Sequence, residues 1–149
     1  MEVDLDRYQG LWFELAKVPF YYEAGCTKST AFYDYRDDGL DVINTCYNVN
    51  TPIRQDIGRA TPNRYRPNVL NLEFYKEILF NPSIERDIET PRSHYIVLWT
   101  DYDNWSFVGT DGDSYWVLSR QPTYNEDNYY FINDMTIKLG YDPNNLVWY

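Results

Sequence analysis

Apolar and polar residues alternate along this chain in short runs, and nearly every run ends in a turn signal. Residues 11–18 form the first apolar run, which Pro19 ends. Across residues 29–36, Ala31, Tyr33 and Tyr35 fall on one face, and Thr30, Phe32, Asp34 and Arg36 on the other. That is the period-two pattern of a half-buried strand. Asp37-Asp38-Gly39 supplies a tight turn, and residues 40–48 return as the partner strand of a hairpin. A weaker strand at 54–61 is closed by Pro62, and at 68–74 Leu70, Leu72 and Phe74 share a side. Residues 94–100 are continuously apolar, which predicts cover on both faces. Two last runs, 105–109 and 114–120, are joined by Thr110-Asp111-Gly112-Asp113. The pattern predicts eight strands at the even spacing of a sandwich or barrel.

The period then changes. Thr123-Tyr124-Asn125-Glu126 reads as a capping box, in which the Thr123 oxygen takes a helix N–H and Glu126 reaches back. Ile132, Met135, Thr136 and Leu139 follow at helical spacing, and Gly140 can end the helix. Residues 146–149 read as a final short strand. Neither a low-complexity linker nor a shift of composition divides the chain, so residues 1–149 are expected to form a single domain.

Three short motifs sharpen the reading: Gly10-Leu11-Trp12 opens the first strand, Thr100-Asp101-Tyr102 follows the sixth, and Leu118-Ser119-Arg120 ends the eighth. In this order and spacing they resemble the signature regions of the lipocalin family. Within the family the chain is most similar to the branch of apolipoprotein D and the bacterial outer-membrane lipocalins. That likeness shows in residues 7–14, 38–44 and 115–120 and covers nearly the whole chain. The resemblance implies an all-β fold: an eight-stranded antiparallel up-and-down β-barrel with a C-terminal α-helix and a short final strand. It also implies that Gly10, Trp12, Thr100, Asp101, Tyr102 and Arg120 are structural. A ten-stranded fatty-acid-binding barrel would need two helices between its first two strands, and residues 20–28 are too few for them.

Strand direction agrees with the resemblance. If the first strand runs upward, Trp12 lies at the bottom of the barrel. The sixth and eighth strands run downward, so Thr100-Asp101-Tyr102 and Arg120 arrive at that same end, and the eighth strand closes on the first. Arg120 can then stack on the Trp12 indole as a cation–π contact, with donors left for backbone carbonyls.

With the bottom plugged, the connections at 20–28, 49–53, 75–92 and 109–113 frame the mouth. The third is long enough to act as a lid or binding loop. Parity places Trp116 and Leu118 inward, with Leu70, Leu72 and Phe74 on the fifth strand and Tyr33 and Tyr35 on the second. Tyr95 and Val97 are the inward candidates of the sixth. By resemblance Val42 and Asn44 point inward, and Asn44 then either orients a ligand or bonds a neighbour. Such a pocket suits a fatty acid, lysolipid, sterol, retinoid or pigment. The expected function is to bind and carry or sequester a small hydrophobic molecule. The alternative is a protein-interaction module with a narrow or filled barrel, which sixteen Tyr, seven Phe and five Trp could supply.

A formal charge of −10 argues against nucleic acid and anionic membrane surfaces, and no apolar run is long enough for membrane insertion. The acidic start, Met1 to Asp6, lacks the regions of a signal peptide. It fits a chain kept inside a cell, or a secreted or periplasmic one whose leader has been removed. Two Cys and the single His94 leave metal binding and His-based catalysis few partners, so neither a cofactor nor an enzyme is expected. A family variant with a reactive cysteine carries it in the second strand, where this chain has none. Cys26 and Cys46 should instead lie near one another at the open end, close enough to bond in an oxidising compartment.

Overall fold

The computed structural model describes residues 2–18 and 25–149. A four-residue helix, α1 (Leu5–Tyr8), leads into β1 (Gly10–Lys17). The chain continues through β2 (Lys28–Arg36), β3 (Gly39–Asn48), β4 (Thr51–Pro62) and β5 (Val69–Leu79). Then come β6 (Ile84–Asp87), β7 (Ser93–Thr100), β8 (Trp105–Gly109) and β9 (Tyr115–Ser119). Helix α2 (Glu126–Lys138) and β10 (Val147–Trp148) complete the chain. All strand pairs are antiparallel, in the order β1-β2-β3-β4-β5-β7-β8-β9, and β9 returns to β1 through Phe13↔Ser119 and Glu14↔Leu118. The result is a closed eight-stranded barrel with one C-terminal helix and two further strands, β6 beside β5 and β10 beside β1. β10 takes the edge of β1 at Ala16 and Lys17, beyond the last residue that β2 pairs.

The β2–β3 hairpin turns on Asp37 and Asp38, whose φ values of 50° and 57° are those of a type I′ turn. Strand alternation divides the core in two. Trp12, Tyr33, Val42, Leu70, Val97 and Leu118 pack inside the barrel with Tyr8 of α1. Leu15, Phe107, Tyr115 and Val117 point outward beneath Ile132 of α2. The strands under the helix are therefore covered on both faces, and their sequence runs apolar for that reason.

Three details differ from the sequence reading. The helix cap is not Thr123: Asn125 accepts from the Asn128 amide at 2.8 Å while the Asn128 side chain accepts from Asn125 at 3.1 Å. An Asn–Asn pair satisfies the same orphan donors that Thr and Glu satisfy in the common box. The 75–92 connection is not a simple loop, because β5 runs on to Leu79 and pairs with β6 as a hairpin. Lys76–Glu85 (2.7 Å) and Glu77–Arg86 (2.6 Å) brace it. α1 is likewise absent from the hydrophobic pattern, being a single turn capped by Asp4. Of the first mouth loop, residues 20–24, with Pro19 before them, lie outside the described residues.

Candidate functional site

The three motifs meet at one end of the barrel. Gly10 adopts φ 104°, a left-handed conformation that favours glycine, and a Cβ there would sit 3.1 Å from Arg120 Nη1. Glycine thus lets the Arg120 guanidinium pass beneath the chain. Arg120 Cζ lies 3.7 Å from the Trp12 ring centroid. Its nitrogens donate to the carbonyls of Tyr102 (3.0 Å), Leu11 (3.0 Å), Gln9 (2.9 Å) and Arg7 (3.1 Å). Tyr102 is left-handed at φ 64°, and its backbone amide donates to Thr100 Oγ1 at 2.9 Å. Asp101 Oδ1 accepts from the amides of Asn104 and Trp105, which fixes the β7–β8 turn. Tyr8 and Trp12, wholly buried, complete the plug, and the Trp12 indole N–H donates to the Tyr8 carbonyl at 2.9 Å.

Above the plug is a cavity of about 390 Å³. Val42 and Asn44 of β3, Leu72 and Phe74 of β5, and Trp116 and Leu118 of β9 line its wall, while Tyr33 and Tyr95 form its floor. Three residues assigned to the pocket by parity lie elsewhere. Leu70 and Val97 share the inward face but pack below the floor, in the core around Tyr8 and Trp12. Tyr35 stands near the closed end, 40% exposed, with its hydroxyl 3.4 Å from Asp38. Parity tells a face and not a height, and a tilted barrel puts residues of one face at different depths.

The cavity is more polar than its apolar wall suggests. Glu14, Arg54 and Asp56 line it, with His94 towards the mouth beside Thr110 and Ser114. Glu14 was legible: it lies two residues beyond Trp12 on the same face. Arg54 Nε is 3.5 Å from Asp56. Burial holds the Asp56 carboxyl above its ordinary range, opposed by Arg54 and assisted by Glu77. His94 Nδ1 contacts Asp111, whose other oxygen is 3.2 Å from Arg66, and the hydrogen bonds to His94 and Arg66 hold the Asp111 carboxyl below the usual carboxylate range. Asn44 Oδ1 is buried without a hydrogen-bond partner among the described residues.

At the floor, Tyr33 donates to Tyr95 at 2.9 Å, and Tyr95 Oη lies 2.7 Å from Tyr8 Oη. Tyr8 Oη is in turn 2.7 Å from Ser106 Oγ. Burial pushes the Tyr8 phenol up to about 12 and those of Tyr33 and Tyr95 well above their ordinary value. At the mouth, a disulfide joins Cys26 to Cys46, with 5.4 Å between Cα atoms, and both residues line the cavity. No group of three or more His, Cys, Asp or Glu side chains is gathered as a metal site among the described residues.

Comparison with known proteins agrees with this geometry. The chain is 31% identical over 147 residues to the outer membrane lipoprotein Blc of Escherichia coli, covering 97% of this chain and 77% of that protein. It is 29% identical to apolipoprotein D of Bos taurus, covering 89% of this chain and 68% of that one. Insecticyanin of Manduca sexta superposes with a TM-score of 0.74 at 18% identity, over 99% of this chain and 80% of its own, a likeness of fold. The family described as the lipocalin-like domain matches residues 3–149, and the chain is therefore a member of the lipocalin family.

Proposed function

We propose that this lipocalin binds and carries or sequesters a small hydrophobic molecule inside its barrel and has no catalytic role. The family is one of small hydrophobic-ligand binders. The observation that carries the reading is the 390 Å³ cavity, plugged below by Arg120 and Trp12 and walled by Val42, Leu72, Phe74, Trp116 and Leu118. A volume of that size suits a ligand of moderate length. It also favours a carrier over an interaction module with a filled barrel. A secreted or periplasmic location goes with this function. Support comes from the Cys26–Cys46 disulfide and from relatives named as outer membrane lipoproteins.

Native mass spectrometry of protein purified without detergent tests the proposal. The expected result is a small adduct of one ligand per chain, or stoichiometric uptake of an added apolar molecule. Failure of every apolar compound to associate would contradict it.

A further inference from the structure

The hydroxyl network at the cavity floor has more donors than it uses. Tyr33, Tyr95, Tyr8 and Ser106 bring four hydroxyl protons, and three hydrogen bonds link them. One proton is left over, and its place depends on the direction of the chain. If Tyr95 donates to Tyr8 and Tyr8 to Ser106, the spare proton falls on Ser106. That residue is wholly buried and has no further hydrogen-bond partner among the described residues. If Tyr95 and Ser106 both donate to Tyr8, the spare proton falls on the equally buried Tyr8. A buried donor without an acceptor is costly. If instead Ser106 donates to Tyr8 and Tyr8 to Tyr95, then Tyr95 accepts twice and keeps its own proton free. Tyr95 lines the cavity; Tyr8 and Ser106 do not. Two accepted bonds also polarise the Tyr95 hydroxyl and make it a better donor.

We propose that Tyr95 is the polar anchor of the cavity, donating to the oxygen of an uncharged ligand of the ketone, aldehyde, ester or alcohol class that enters oxygen first. This role for Tyr95 rests on the cavity being a ligand site, as proposed above. The charges around the cavity select against an anionic head. Glu14 and Asp56 both line it, and among the described residues the lining groups that could meet an anion, Arg54 and His94, are already engaged with carboxylates. Arg54 lies 3.5 Å from Asp56, and His94 is held by Asp111.

The test displaces a bound apolar dye with three molecules of equal chain length: methyl nonyl ketone, undecane and undecanoate. The ketone can only accept a hydrogen bond, so a spare donor favours it over the alkane by about threefold to tenfold. It should also bind more tightly than the carboxylate. Infrared spectroscopy of the bound ketone should show its carbonyl stretch lowered. That shift should vanish in Tyr95→Phe and persist in Tyr33→Phe, which leaves Tyr95 its proton. Equal affinity for ketone and alkane, preference for undecanoate, or a carbonyl shift that survives Tyr95→Phe would each overturn the proposal while leaving the cavity a ligand site. Failure of the dye to bind would strike the proposed function itself. Because the affinity series uses the unaltered protein, it stands even if a variant folds poorly.

Discussion

The Arg120 guanidinium lies over the Trp12 indole, 3.7 Å from Cζ to the ring centroid, and ties the end of β9 to the start of β1. The contact joins residues more than a hundred positions apart in sequence and closes the barrel at one end. Trp12 is wholly buried, so Trp12→Ala should cost about 3–5 kcal/mol, as loss of large buried aromatics does. Urea unfolding measures this, and an unchanged midpoint would contradict the plug.

Arg120→Lys keeps the charge but loses the planar fork that reaches the carbonyls of Leu11, Gln9 and Tyr102. Loss of charged hydrogen bonds of this kind costs about 1.5–3 kcal/mol. Stability should fall by that order in urea, while affinity for an apolar dye, bound at the other end, stays within about twofold.

The buried phenols make stability depend on alkaline pH. Tyr8 and Tyr115 are pushed up to about 12 by burial, and Tyr33 and Tyr95 are raised well above 10.0. Raised folded values mean that the unfolded chain ionises these groups first. Their contribution is intact below pH 10 and is lost as pH climbs towards the folded values. The slope is about 1.4 kcal/mol per pH unit for each phenol that titrates only when unfolded. Urea midpoints should therefore fall steeply above pH 10, and less steeply in Tyr8→Phe. Ultraviolet absorbance of phenolate should rise late, together with unfolding. A midpoint independent of pH through this range would contradict the burial of these rings.

The Cys26–Cys46 bond spans a sequence separation of 20 and anchors the chain before β2 to β3 at the cavity mouth. On the chain-entropy account, a loop of this length contributes about 3 kcal/mol by constraining the unfolded state. Reduction, or Cys26→Ala with Cys46→Ala, should lower stability by that order. Intact mass after alkylation should show no modified thiol until reductant is added. Two alkylated thiols without reductant, in protein matured in an oxidising medium, would rule the bond out.

What the sequence revealed, and what it hid, follows from how strongly each residue is tied to a face. Barrel strands read clearly where alternation is enforced by a core, as at Ala31, Tyr33 and Tyr35 against Phe32, Asp34 and Arg36. The β6 hairpin did not, because all four residues of Ile84–Asp87 are exposed and nothing buried imposes a period. Helix α2 was legible from Ile132 and Thr136, both wholly buried, but its first turn was not, since Asn125 can cap as well as Thr123. In the cavity, parity gave the faces of Trp116, Leu118, Leu72 and Phe74. It did not give depth, so Leu70 and Val97 fall below the floor. The hydroxyl network was hidden for another reason. Tyr8, Tyr33, Tyr95 and Ser106 come from four separate elements, and only barrel closure brings them together.

Trp116 lines the cavity beside Leu118, so a ligand in the barrel must come into contact with its indole. The most direct measurement is a fluorescence titration of the unaltered protein and Trp116→Phe with an environment-sensitive apolar dye or fatty acid. The unaltered protein should show saturable quenching with a dissociation constant of about 1 μM, roughly −8 kcal/mol, and Trp116→Phe should lose most of that quenching. Absence of saturable binding, or quenching unchanged in the variant, would contradict a ligand held in this cavity.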